Sequence, residues 1–291
     1  MAMRFAYVDV FAPRPLAGNP VVVVTGAERQ PDAVLQALAR EFNHSETAFV
    51  LGGSGADWRL RSFTPSGAEV FGAGHNALGA VVWLAASGRL DSTRSSFAQA
   101  IGDETYTVTV SQVDRNGAHV AIRQSPPERR ATFDDGSALA RALGVMDDAV
   151  RVDRMPEVIS TGAGHLLVPL RRRSDVDSAR PDPESLSRLL ASIGAEGCAV
   201  FSLDPVEPEA HADVRFFNPT MGIAEDPATG TAAGPLAVKL LRDGLIAPTA
   251  TVVIAQGHAV GRPSLISVDV RDDEVTLHGD GIVVAEGELH I

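Results

Sequence analysis

The tightest constraint on this chain is a pattern that it uses twice. Arg61-Ser62-Phe63-Thr64-Pro65 leads into Phe71-Gly72-Ala73-Gly74-His75-Asn76 and then the apolar run Val81-Val82-Trp83-Leu84-Ala85-Ala86. Arg215-Phe216-Phe217-Asn218-Pro219 leads into Glu225-Asp226-Pro227-Ala228-Thr229-Gly230-Thr231-Ala232-Ala233-Gly234 and the run Pro235 to Leu241. The two copies lie 154 positions apart (61 to 215, and 65 to 219). Carried forward without a gap, the offset sets Gly72 on Asp226, Ala73 on Pro227 and His75 on Thr229. Strand, turn, small polar loop and helix thus recur once in each half. A period this long is the mark of two similar domains rather than of a solenoid.

Both loops open a helix whose first turn carries little side-chain bulk. Such a turn exposes N–H groups that no helical carbonyl satisfies, and its dipole favours negative charge. Two of them facing each other across a domain cleft would form a doubly electropositive seat for a carboxylate. The competing reading is a close helix-to-sheet contact that needs small residues and nothing more.

Length and composition leave room for this duplication. The chain, 291 residues, suits two domains of ordinary size or one large one, and 45% hydrophobic content is enough for substantial cores. A net charge of −12 argues against nucleic acid as a partner. The single cysteine, Cys198, excludes an intramolecular disulfide and a CxxC metal site. The N-terminal residues enter a strand pattern directly, no run is long enough to span a bilayer, and a cytoplasmic setting fits. Strands are expected at Phe5–Phe11, 21–24, 47–51, 105–110, 119–123, 165–170, 198–203, 251–254, 265–270 and 281–284. Helices are expected at 31–42, 136–144 and 183–193, besides the two that follow the repeated loops. Gly52-Gly53-Ser54-Gly55 reads as a hairpin-type turn, and Gln124 to Arg130 has the composition of a linker. The boundary falls there, giving an N-terminal half over 1–124 and a C-terminal half over 125–291, with a last strand near 280–291 that can return to the first half.

Glu46 is the most suggestive carboxylate. It follows the polar corner Asn43-His44-Ser45 and precedes an apolar strand, so partial desolvation would raise its pKa into the range where it both takes and gives a proton. A surface Glu capping a loop is the alternative. His75 is placed to orient a substrate, to shuttle a proton, or to satisfy a carbonyl in its own turn. Ala163-Gly164-His165 repeats the tripeptide Ala73-Gly74-His75 but runs straight into a strand, so His165 reads as a loop histidine at a strand start, with a cleft-facing position as the alternative. Asp226 suits a substrate amine or hydroxyl, or a cap on the helix that follows. Gly72-Ala73-Gly74 begins a dinucleotide fingerprint but has neither the third glycine nor the later acidic residue.

Together these residues resemble the phenazine biosynthesis PhzF-like family. The resemblance is carried nearly end to end by Gly18-Asn19-Pro20, Asn43-His44-Ser45-Glu46-Thr47-Ala48-Phe49-Val50, Ala73-Gly74-His75, Glu225-Asp226-Pro227-Ala228-Thr229-Gly230, Gln256-Gly257 and Gly261-Arg262-Pro263-Ser264. It implies the α+β, diaminopimelate epimerase-like fold: two similar pseudo-symmetric domains, each a central helix wrapped by a mostly antiparallel sheet, with an active site in the cleft. It also implies an isomerase that needs no metal or organic cofactor, usually a homodimer. The family's acid/base glutamate falls on Glu46. Its substrate-contacting serine, glycine and histidine fall on Ser45, Gly74 and His75, its aspartate on Asp226, and its second-loop serine on Thr231, beside Gly230. His44, Gly72 and Asn76-Ala77 depart from the family's usual leucine, phenylalanine and Pro-Thr, which would reshape the pocket.

Racemases of this fold work with two thiols, whose positions here are Ala73 and Pro227. Neither moves a proton, so a single carboxylate acting on one face is left, and that chemistry shifts a double bond rather than inverting a centre. The expected substrate is a small carboxylated, unsaturated metabolite. A C–C bond hydrolase and a non-catalytic carboxylate-binding protein are the alternatives on the same fold.

Overall fold

A computed structural model describes residues 2–53 and 55–291. The turn expected at Gly52 to Gly55 includes Ser54, which lies outside the described residues. The chain divides into two compact units, 1–124 with 277–291, and 125–276.

The first unit contains β1 (Met3–Val10), β2 (Asn19–Thr25), α1 (Asp32–Phe42), β3 (Thr47–Gly52), β4 (Trp58–Phe63), β5 (Glu69–Val70), α2 (His75–Ala86), β6 (Ser96–Ile101), β7 (Glu104–Ser111) and β8 (Gly117–Arg123). The second contains β9 (Glu128–Thr132), α3 (Gly136–Leu143), β10 (Glu157–Ser160), β11 (Gly164–Pro169), α4 (Arg173–Ser178), α5 (Pro183–Ser192), β12 (Gly197–Ser202), β13 (Ala212–Asn218), β14 (Ile223–Asp226), α6 (Gly230–Arg242), β15 (Thr251–Gln256) and β16 (Ser264–Arg271). A final strand, β17 (Glu274–Leu289), belongs to the first unit from Leu277 onward, where it pairs antiparallel with β1.

The sheets are mixed. In the first unit β2 runs parallel to β3, β3 antiparallel to β4, and β4 antiparallel to β5 and parallel to β6. In the second unit the same order of pairings appears: β11 parallel to β12, β12 antiparallel to β13, and β13 antiparallel to β14 and parallel to β15. The expected linker is a correction: Glu128–Thr132 is a strand, paired antiparallel with β10. Its residues are mostly exposed, so no apolar alternation marked it.

One charge device is duplicated with the strands. Arg61 on β4 grips Glu69 through Nε at 2.7 Å and a second nitrogen at 2.8 Å, with its guanidinium 5.0 Å from the Phe63 ring. Arg215 on β13 grips Glu225 at 2.9 and 2.7 Å and lies 5.0 Å from the Phe217 ring. Each fork pins the short strand that delivers the following loop, and a two-pronged fork fixes orientation as well as distance.

The two helices behind those loops are held differently. Every residue of α2 from His75 to Ala85 is buried, and it lies against β1, β2, β3, β7 and β8. A helix apolar all round is a core helix. Gly79 lets it approach the sheet: a Cβ there would fall 2.4 Å from Val21 Cγ1. Helix α6 instead carries a buried cation. Lys239 Nζ donates to Glu157 Oε1 at 2.6 Å, to Asp243 Oδ2 at 2.7 Å and to the Met155 carbonyl at 3.0 Å, which uses all three of its protons. No helix of the described residues is long and apolar enough to cross a membrane.

Lys239 is one of three cations on a buried carboxylate: Glu157, 2% exposed, is also held by Arg129 Nε at 2.9 Å and by Arg242. Lys239→Met removes one charged bond and leaves the other two, so it is expected to cost roughly 1–3 kcal/mol of stability, read as a lowered urea midpoint with an unchanged slope.

Candidate active site

In the first unit the site begins where α1 ends. Asn43 takes a left-handed conformation (φ 54) and returns its N–H to the Ala39 carbonyl, which turns the chain out of the helix. His44 stands edge-on to Tyr7, with centroids 5.3 Å apart. Ser45 Oγ lies 3.3 Å from His75 Nε2, so the corner is tied to the first residue of α2. Glu46 follows at the entrance to β3. It is half-buried, and its Oε2 is shielded from solvent.

His75 is 5% exposed. Burial, with the charge of His44 adding to it, pushes the His75 pKa down to about 3, so the ring is neutral across the physiological range. Helix α2 has no side-chain N-cap. The loop before it is held by the Asn76 amide. Its Oδ1 accepts from Gly74 N at 3.1 Å, while its Nδ2 donates to the Gly72 carbonyl at 3.2 Å and to Ser62 Oγ at 3.0 Å. The Gly74 carbonyl accepts from Ala77 and Leu78, and the N–H groups of His75 and Asn76 have no helical acceptor.

In the second unit Thr229 is the N-cap residue of α6, again without a side-chain cap, and Gly230 and Thr231 form the first turn. The Gln256 side chain does here what Asn76 does in the first unit. Its Oε1 accepts from Thr229 N at 3.2 Å, and its Nε2 donates to the Asp226 carbonyl at 2.8 Å and to Thr229 Oγ1 at 3.1 Å. Thr229 Oγ1 donates onward to Asp226 Oδ2 at 2.6 Å. Asp226 is thus tied to the N-cap residue of α6 through that hydroxyl. Gly257, at φ +86, turns the chain behind Gln256, where a Cβ would meet the Arg262 carbonyl at 2.1 Å and that of Pro227 at 2.6 Å. Thr231 Oγ1 lies 3.0 Å from His165 Nε2.

The structure thus gathers Ser45, Gly74 and His75 at the start of α2, with Glu46 next to Ser45, and gathers Asp226, Gly230 and Thr231 at the start of α6. The gap-free offset of the repeat needs correcting at this point. Gly72 and Asp226 both give their carbonyl to the bracing amide, but the N-cap residues are Gly74 and Thr229, 155 positions apart. The second loop holds one residue more, so His75 corresponds to Gly230 and not to Thr229. His165 is also more than a loop histidine: it is 3% exposed and bonded to the site. Asn76, Gln256 and His165 carry the local geometry. Gln256 is marked by Gln256-Gly257 and His165 by the repeated tripeptide, whereas nothing in the sequence marks Asn76 as the brace of its loop.

The model of the family described as "Phenazine biosynthesis-like protein" matches residues 8–287. The chain belongs to that family. It is 32% identical to a trans-2,3-dihydro-3-hydroxyanthranilate isomerase of Pseudomonas fluorescens, over 98% of this chain and 99% of that one. It is 31% identical to the uncharacterized isomerase YddE of Escherichia coli K12, over 100% and 99%. A PhzF-family phenazine biosynthesis protein of Bacillus anthracis shares the fold over the whole of both chains, with a TM-score of 0.88 at 23% identity. The class of reaction this chain shares with its relatives is isomerisation.

The depressed pKa of His75 has a signed consequence. Between about pH 6.5 and 3 an unfolded histidine binds a proton that the folded one refuses, so stability falls as pH is lowered through that range. His165, also near 3, adds to the same slope. Urea titrations at pH 7, 6, 5 and 4 should show this loss, and His75→Asn should make it shallower.

Proposed function

We propose that this member of the family is a cofactor-independent isomerase that moves a proton, and with it a double bond, within a small carboxylated, unsaturated metabolite. Glu46 is the single acid/base. The observation that carries this reading is its setting: a half-buried carboxylate with one oxygen shielded from solvent, next to the serine that holds His75. The relatives' isomerase names support the reaction class, and the one that names a substrate names a carboxylated dihydro ring.

The chemistry follows from the residue types. The carboxylate takes a proton from one carbon, the C–H pair moves into an enolate-like system, and the same carboxyl returns the proton to a second carbon on that face. Charge developing on the substrate needs donors that are already in place. We assign that role to the open N–H groups at the start of α2 and to the first turn of α6, reading the two units as duplicated halves. The neutral His75 orients without delivering a full charge. Ala73 and Pro227 stand where thiol racemases carry their bases, and Cys198 is no substitute, because burial pushes its thiol up to about 12. Gly72, where the family often carries a phenylalanine, widens the space beside Gly74 and argues for a substrate other than the dihydro-hydroxyanthranilate.

Glu46→Gln should lower kcat by on the order of 10²–10⁴ with a folded protein and a small change in KM. The product of the wild type should have the mass of its substrate; a gain of one water would point to hydrolysis instead. Retained turnover in the Gln variant would remove Glu46 from the mechanism.

A further inference from the structure

His165 is a buried histidine that the proposed mechanism does not use. It sits at the start of β11, 3% exposed, with its ring edge-on to Phe216 and the centroids 4.9 Å apart. Its Nε2 lies 3.0 Å from Thr231 Oγ1, and its Nδ1 is buried with no hydrogen-bond partner. Thr231 Oγ1 has no other partner among the described residues. Burial, with the charge of Arg130 adding to it, keeps the ring neutral, its pKa pushed down to about 3.

A neutral imidazole carries one proton, and the bond made by one ring nitrogen decides where that proton lies. Two arrangements satisfy the 3.0 Å contact. If Thr231 donates to Nε2, the ring proton sits on Nδ1, and a buried N–H is left with no acceptor. If Nε2–H donates to Thr231, the orphan is a bare ring nitrogen. Buried donors left unmade are rarer in folded proteins than buried acceptors left unmade. The second arrangement is therefore favoured, and it leaves the Thr231 hydroxyl proton uncommitted at the first turn of α6.

We propose that His165 is a positioning residue: by donating from Nε2 it fixes Thr231 as a hydrogen-bond donor toward a substrate carboxylate or developing oxyanion. This rests on the proposed function for the ligand but not for the tautomer. The Thr231 N–H has no helical acceptor either, so backbone and side chain of one residue present two donors to the same anion. A threonine whose proton were spent on His165 would instead turn an oxygen lone pair toward that anion and repel it.

The test has two arms on the full chain. In the first, ¹⁵N-histidine NMR of the wild type between pH 6 and 8 reads which nitrogen of His165 is protonated. A pH-independent Nε2–H signal is expected, and an Nδ1–H signal overturns the proposal whatever happens to activity. In the second, binding of 3-hydroxyanthranilate, a stable aromatic carboxylate, is titrated into the wild type, Thr231→Val, His165→Phe and the double variant. Each single variant should weaken the probe on the order of tenfold, the double no further, and Thr231→Ser should bind as the wild type does. Additive losses would make His165 merely structural and overturn its action through Thr231. A wild type that does not bind the probe overturns the ligand half of this inference, while the NMR arm still decides the tautomer and turnover by Glu46→Gln decides the proposed function. If His165→Phe does not fold, the NMR arm and the Thr231 pair decide the matter.

Discussion

The site we propose rests on two helices that begin without a cap from their own N-cap residue. A helix N-terminus has donors to spare, and a serine, threonine or aspartate usually consumes one of them. At α2 and α6 the N-cap residue makes no side-chain cap bond. The loop in front is braced instead by a primary amide: Asn76 in the first unit and Gln256 in the second. Each accepts from the N–H of the N-cap residue and donates to a carbonyl at the start of the loop. The amide braces the loop through the N-cap N–H. In the reading we propose, a conventional cap would give similar order and consume part of the anion seat.

The same function is met by different residues because the neighbours differ. Asn76 lies inside its own helix and reaches back only two to four residues, which suits the short loop from Gly72 to Gly74. Gln256 ends β15 and reaches across to a loop one residue longer, with the longer side chain that this requires. Its own position is set by the tight turn at Gly257 and by Ser264, whose hydroxyl lies 3.0 Å from the Gln256 carbonyl and 3.3 Å from that of Pro227. The conserved quantity between the two units is the pattern of hydrogen bonds around the N-cap. The residue that supplies it is not conserved, and neither is the exact spacing.

That contrast explains what the sequence could disclose. The strand-loop-helix repeat was legible because arginine, aromatic, proline and small-residue runs are local, and the paired Arg61–Glu69 and Arg215–Glu225 forks show why each arginine stands where it does. The bracing amides were not legible as a pair, since one is local and the other comes from 27 residues away. Strand β9 was hidden for a different reason: it buries almost nothing and is held by backbone pairing with β10, which leaves no periodicity to read. Glu157 on β10 points the same way. A charged residue at a fully buried strand position makes sense once Arg129, Lys239 and Arg242, 28 to 85 residues away, are seen beside it.

The two buried histidines bear on the mechanism we propose, in which one carboxylate carries the proton. A site that holds an anion at helix N-termini would become a poor place to lift a proton if its imidazoles were charged, because a nearby imidazolium holds a carboxylate in its deprotonated, weakly basic form. Both His75 and His165 are kept neutral by burial, and each contacts a hydroxyl, Ser45 in one case and Thr231 in the other. A neutral ring can direct a hydrogen bond without bringing a full positive charge to its own loop. Asp226 is a different case, since one of its oxygens already takes the Thr229 proton, and that bond holds it to the loop. Glu46, next in sequence to the serine that meets the neutral His75 ring, is the carboxylate to which we assign the proton transfer.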